Sequence, residues 1–249
     1  MQNQTITNKP LSGKNILITG AARRVGKILA LAAARSGGNL IIHHNNSPKF
    51  AIDTREEILA LGCKVSIVKA DLSDPNQAME LLDKASIFGR IDTLVNNAAI
   101  FEPVNIFTTT PEDWQRHLNI NLTAPFLLSQ SLARQTPSDG MARIINILDW
   151  RALRPGVDHF PYTISKAALA AMTQSLALSL APNIIVNALA LGAILPPSDQ
   201  SGQPDIIRNV PARRWSTPEE LSAAFLFLLT GPEYITGEII HLDGGRHLV

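Results

Sequence analysis

The chain has 249 residues, enough for one large domain with a well-buried core, and its 22 Lys+Arg against 21 Asp+Glu leave a formal net charge of +1. That balance removes the global field that draws proteins to nucleic acid or anionic membranes, so any anion site must be local. Apolar residues make up 45% and aromatics only 5%, which describes an aliphatic core, and the single cysteine, Cys63, excludes an internal disulfide and thiolate metal clusters. The first ten residues carry no apolar signal core and the longest apolar runs are too short to span a bilayer, so a cytoplasmic location is expected.

From about residue 14, short aliphatic runs alternate with helical segments. NILIT is followed by a predicted helix over 25–36, NLIIH by one over 51–61, KVSIV by one over 77–88, and DTLVN by a single long helix over 111–134. RIINIL then precedes a helix over 162–181, IIVNALA one over 218–229, and EIIHL closes the series. Seven strands joined by six crossovers predict an α/β fold, a single Rossmann-type doubly wound parallel sheet with helices on both faces, spanning 1–249. Residues 1–12 are expected to be flexible, and 195–212, rich in Pro, Ser, Gly and Asp, to form either a substrate loop or a plain surface loop. Asp74 with Gln77, Thr110 with Asp113, and Thr217 with Glu220 each flank a proline at a helix start and mark structural caps.

NILIT runs into Thr19-Gly20-Ala21-Ala22-Arg23-Arg24-Val25-Gly26, a strand turning sharply into a helix. Gly20 permits the tight turn and Gly26 the close helix-to-strand packing that lets a pyrophosphate rest on the free N–H groups of a helix N-terminus. An NAD enzyme places a carboxylate at the end of the second strand, and this chain has Ile42-His43-His44-Asn45-Asn46-Ser47 there. Arg23 and Arg24, with Ser47, could instead hold a 2′-phosphate, which favours NADPH over NADH; alternatively both arginines are simply solvated. His43 and His44 point to opposite faces of a strand, which argues against a shared metal.

Tyr162 and Lys166 lie four apart at a helix start and share a face, so the ammonium is expected to lower the phenol's pKa toward the working range. Together with TGAARRVG, Asn96-Asn97-Ala98-Ala99 after the fourth strand, Asn121 in NINLTAPF and the closing Leu242-Asp243-Gly244-Gly245, this pair resembles the short-chain dehydrogenase/reductase family over residues 12 to 249. The resemblance implies that Asp71, Leu72, Asn97, Ala98 and Ala99 border the adenosine half of NADPH, and that Val25, His44 and Gly192 complete its contacts. It further implies that Lys166 holds the nicotinamide ribose and that Asn121 supports a proton-relay water.

The family's usual serine, thirteen residues before the tyrosine, is Asp149 here. That departure, Arg24 at the middle glycine position, the segment from His43 to Ser47 and the ending GGRHL are similar to the pteridine reductases and dihydromonapterin reductases. In that subgroup an aromatic just after NNA stacks on the pterin, and Phe101 stands in that place, although an aromatic after a strand is also a common core residue. Asn46 and Ala99 replace an Arg and a Ser of some members, and Leu191 replaces a proline before Gly192.

A carboxylic acid can give a net proton to a ring nitrogen as hydride reaches a C=N bond, so Asp149 beside Tyr162 suits imine reduction in a dihydropterin or dihydrofolate; alternatively Asp149 only orients its neighbours. The resulting expectation is an NADPH-dependent pteridine reductase in which Arg24, Phe101, Asp149 and Tyr162 meet the substrate. Its rivals are a carbonyl reductase acting on 3-oxoacyl-type ketones and a non-catalytic NADP-sensing protein. The helix YTISKAALAAMTQSLALSLA is apolar or small nearly all round, so its outer face is expected to pack on another subunit, and the resemblance implies a homotetramer.

Overall fold

The computed structural model describes residues 9–196 and 203–249, excluding the side chains of 203–205. Seven strands, β1 (Asn15–Ile18), β2 (Asn39–His44), β3 (Val65–Lys69), β4 (Thr93–Asn96), β5 (Ala142–Asp149), β6 (Ile184–Leu191) and β7 (Ile239–Leu242), form one sheet in the order 3-2-1-4-5-6-7. Every pairing is parallel, as the crossover pattern of the sequence predicts. The strands read as continuous apolar runs because helices cover both faces and alternate side chains enter opposite layers. Ile16 and Ile18 pack with Leu29 and Ala33 of helix α1 (Arg24–Arg35) and with Leu221 and Phe225 of a late helix, while Leu17 joins the opposite core.

That late helix is α8 (Pro218–Thr230). Helix α2 (Pro48–Ala60) sends Ile58 into the same layer, and α3 (Pro75–Ala85) and α5 (Ala124–Gln135) cover the other face through Leu81, Leu82, Leu128 and Leu132. The strand order reverses between β1 and β4, so the crevice beyond the carboxyl ends of these strands is where such a sheet binds ligands.

The expected helix over 111–134 is two helices, α4 (Pro111–Leu118) and α5, joined by a π turn at Asn119–Thr123. Pro125 explains the break: it lacks an N–H and its ring would clash with the Asn121 carbonyl four residues back. The turn widens instead, and Ala124 N–H reaches Asn119 O, five residues back. The capping boxes at Thr110 with Asp113 and at Thr217 with Glu220 form as their spacing predicts, while Asp74 accepts from Asn76 N–H and from the Gln77 side chain.

Helix α6 (Phe160–Leu180) starts two residues before the predicted 162, after His159 in the left-handed region at φ 51°. Two further expectations change. Leu11 is buried and its N–H donates to Ser36 O, so the chain is held from there, while residues 1–8 lie outside the described residues. The stretch 195–212 contains a short helix, α7 (Gln203–Arg208), and 197–202 lie outside the description. No described helix is long and apolar enough to cross a membrane.

Candidate active site

The β1–α1 turn is built by its own residues. Gly20 takes φ +64°, and a Cβ on Gly26 would stand 2.2 Å from Gly20 O, so only glycine lets α1 start this close to the strand. Thr19 Oγ1 accepts the Asn97 and Ala98 N–H groups at 3.0 Å each, and Asn97 Nδ2 donates to Thr19 O and Gly20 O. These bonds clamp the turn to the segment after β4. His43 adds a third clasp that the sequence does not reveal: Nδ1 accepts Gly20 N–H at 3.1 Å while Nε2 donates to Ala70 O at 3.1 Å. Burial drives its pKa to about 4, which keeps the ring in the neutral form that both bonds need.

Above this turn lies a cavity of about 610 Å³ whose wall includes every residue expected to hold the cofactor, from Gly20, Arg23, Arg24 and Val25 through His44, Ser47, Asp71 and Leu72 to Asn97, Ala98, Ala99, Tyr162, Lys166 and Gly192. The first turn of α1 contains no acidic residue, which suits an anion at its N-terminus. Arg24, at φ 51°, donates to Leu195 O and Pro196 O at 3.5 and 3.0 Å and so ties the turn to the loop after β6. Asp71 accepts from Ser73 N–H and Oγ–H, bonds that hold its carboxyl below the usual range. A Cβ on Gly192 would lie 2.5 Å from Asp243 Cα, and the neighbouring Leu191, the departure from proline, pairs in register with both Asp149 and Leu242.

At the inner end of the cavity Asp149 closes β5, Tyr162 and Lys166 descend from the first two turns of α6, and the Tyr162 hydroxyl donates to Asp149 Oδ2 at 3.3 Å. Asp149 Oδ1 accepts Arg151 N–H at 2.9 Å. Burial pushes the Asp149 carboxyl up, against the opposing pull of Arg151 and Lys166. Lys166 Nζ donates to Ile147 O at 2.7 Å, and burial takes the ammonium down to about 8.

The expectation that Lys166 lowers the tyrosine's pKa is not met: burial foremost holds the Tyr162 phenol well above its ordinary range. The ammonium sits 5.9 Å from the ring centroid and spends a bond on a carbonyl, whereas the Asp149 carboxyl is a direct hydrogen-bond partner. Tyr162 therefore keeps its proton and can donate it.

Asn121 does not line the cavity. It is fully buried in the π turn, where Oδ1 accepts Ile100 N–H and Nδ2 donates to Ile100 O and Ser165 Oγ. Its side chain fixes the strand-end loop to α6. Phe101 is 50% exposed on the cavity wall and is not a core residue. It stacks on His159 with centroids 3.6 Å apart and meets Tyr162 edge-on at 4.7 Å. His159, held by its Nδ1 bond to Glu102 O, and Arg151, paired with Asp158 at 2.9 Å, are members of the site that sequence reasoning missed, since neither lies in a spaced motif.

The chain matches, over residues 20–247, the family model described as Enoyl-(Acyl carrier protein) reductase. It is 32% identical to a 3-oxoacyl-[acyl-carrier-protein] reductase of Synechocystis sp., covering 94% of this chain and 97% of the relative. Among solved structures it is similar to FolM Alternative dihydrofolate reductase 1 from Brucella canis, complexed with NADP, at TM-score 0.88 and 33% identity with 96% of each chain covered. It is similar also to a short-chain dehydrogenase/reductase from Serratia marcescens, at TM-score 0.88 and 29% identity over 96% of this chain and 99% of that one. The chain belongs to the short-chain dehydrogenase/reductase family of oxidoreductases.

Proposed function

We propose that this protein is an NADPH-dependent pteridine reductase that adds hydride to a C=N bond of a dihydropterin or dihydrofolate. The observation that carries the reading is the Asp149–Tyr162 pair, a carboxyl raised by burial 3.3 Å from a protonated phenol at the inner end of the cavity. A carboxylic acid gives up a net proton more readily than the serine it replaces. The half-exposed Phe101 offers an aromatic edge beside the same pair. NADP is the ligand in the Brucella canis structure, and that protein's name, alternative dihydrofolate reductase, supports the substrate class.

The donor set fits the cofactor. Arg23 and Arg24 would supply the charges a 2′-phosphate requires, the Gly26 cradle leaves room at the helix start, and Lys166 on the cavity wall would hold a ribose. NADPH, when bound, supplies the hydride. Asp149 gives its proton to the ring nitrogen as the adjacent carbon accepts hydride, Tyr162 supports the transfer through its bond to Oδ2, and solvent returns the proton. Asn121 and Lys166 act by position: one anchors the loop that carries Phe101, the other fixes the β5 end through Ile147 O. We also propose a homotetramer, in which the exposed Leu178 of α6 and Phe126 of α5 would pack on another subunit.

A carbonyl reductase is the second reading, favoured by the Synechocystis relative's name and by a Tyr162 proton that serves a ketone oxygen equally well. Purified protein incubated with NADPH and either 7,8-dihydrobiopterin or a panel of 3-oxo thioesters and ketones separates the two. Ketone turnover without pterin turnover would defeat the proposal.

A further inference from the structure

A second cavity, of about 720 Å³, adjoins the first and shares Arg24, Phe101, Asp149 and Gly192 with it. Its outer wall is made by Trp150, Ile206, Trp215 and Arg246, which the reduction of a bare ring does not require. Two guanidiniums lie against the Trp150 ring, Arg151 at 4.6 Å and Arg246 at 4.8 Å from its centroid. Their charges are answered differently. Arg151 has Asp158 at 2.9 Å and Asp149 at 3.6 Å, whereas Arg246 has no carboxylate within 4.0 Å among the described residues and makes one long bond, 3.4 Å, to Ile206 O.

Burial and the positive charges of Arg151 and Arg154 all disfavour the charged form of Arg246, and Asp158 alone opposes them. A guanidinium on a cavity wall with no carboxylate beside it among the described residues can meet an oxyanion with charge-assisted hydrogen bonds. Its position is also fixed in advance, because Asp243 accepts the N–H groups of Gly245 and His247 on either side of it at 2.9 Å.

We infer that the outer cavity holds an oxyanion borne on the side chain of the ring substrate, with Arg246 as its charge partner and Trp150 and Trp215 against the connecting stem. The ring's identity rests on the pterin reading; the anion site does not. The preferred substrate is then a reduced pterin with a carboxylate or phosphate tail, such as the benzoylglutamate of dihydrofolate, over one with the neutral dihydroxypropyl tail of dihydrobiopterin.

The test compares kcat/KM for 7,8-dihydrofolate and 7,8-dihydrobiopterin in the full-length protein and in Arg246→Gln and Arg246→Lys. Loss of one charge-assisted bond lowers the dihydrofolate-to-dihydrobiopterin ratio about tenfold in Arg246→Gln, chiefly through KM, and Arg246→Lys recovers part of it. A ratio unchanged by Arg246→Gln overturns the inference, and so does an equal loss on both substrates, which would make Arg246 a support for α7 through Ile206. Equilibrium titration of tryptophan fluorescence with p-aminobenzoylglutamate and with dihydroneopterin phosphate provides a readout free of turnover. Saturable binding of either that weakens about tenfold in Arg246→Gln supports the anion site even if neither pterin is reduced, a result that would defeat the pterin reading alone. The tighter of the two identifies the anion. Binding indifferent to Arg246, with pterin turnover intact, removes the anion site and leaves the pterin reading standing.

Discussion

Replacing Asp149 by Asn removes one ionisable proton and almost nothing else. Asparagine caps a helical turn as well as aspartate does, so the acceptor for Arg151 N–H at 2.9 Å survives, and its amide can still meet the Tyr162 hydroxyl. Arg151 keeps Asp158, and the 3.6 Å charge contact it loses is partly solvated, so stability should stay within about 1 kcal/mol of the parent.

General acid catalysis contributes roughly 10²–10⁴-fold, about 3–5 kcal/mol at 1.36 kcal/mol per decade. Tyr162 remains as a donor 3.3 Å away, so the lower end applies and dihydropterin reduction should fall about a hundredfold. Reduction of a ketone, whose oxygen takes the Tyr162 proton, should fall less than about tenfold. The pH profile carries a second signature. Because burial raises the Asp149 pKa, the acid persists above the usual carboxylate range and kcat/KM for the pterin should decline as pH climbs through it, a limb that Asp149→Asn lacks. Stopped-flow oxidation of NADPH with both substrate classes from pH 5 to 9 measures both effects. Equal losses on pterin and ketone, or a limb that survives the substitution, would refute the assignment of Asp149 as the acid.

Tyr162→Phe should keep NADPH binding, read by nucleotide fluorescence, and lose at least about a hundredfold in turnover; unchanged turnover would remove the phenol from the mechanism. Gly26→Ala should cost about 1–3 kcal/mol in a thermal melt and abolish cofactor binding, because its Cβ would meet Gly20 O at 2.2 Å. His43 makes stability fall in acid. Its folded pKa of about 4 lies below the ordinary 6.5, so the unfolded chain binds the proton first, and stability is complete above 6.5 and lost between 6.5 and 4, by on the order of 3 kcal/mol. His159 and His241 shift the same way, so His43's share is the part of that acid slope that disappears in His43→Gln. Light scattering at micromolar concentration should report a tetramer, and Leu178→Asp a smaller species; a monomeric parent would refute the assembly.

The fold was legible because its signals are local and repeated. Short aliphatic runs such as Ile16–Ile18, set between longer helical segments, read as buried strands, and capping boxes at Thr110 and Thr217 mark helix starts by spacing alone. The apolar period continues through Asn121 and so suggests one helix over 111–134; only Pro125, set against the carbonyl four residues earlier, betrays the π turn. That break has a function. A continuous helix would place Asn121 in regular register, whereas the widened turn buries its amide against Ile100 and Ser165 and so helps set the position of Phe101 in the loop after β4.

The lining of the cavity above the β1–α1 turn was equally legible, since its residues follow the strand ends in order and a parallel sheet gathers the carboxyl ends of its strands at one edge. The electrostatics of the inner pair were not. Spacing on α6 puts Tyr162 near Lys166, but the phenol's pKa follows its burial first, and its hydrogen-bond partner comes from β5, thirteen residues away, outside any helical repeat. The same limit hides Arg151, His159 and Arg246, which three separate segments deliver to one aromatic cluster around Phe101 and Trp150. Nothing in their own neighbourhoods distinguishes them from solvated surface charges; their meaning comes from which carboxylates fold beside them. Asp158 answers Arg151, no carboxylate lies within reach of Arg246 among the described residues, and that inequality makes Arg246 a place for a ligand's charge to bind.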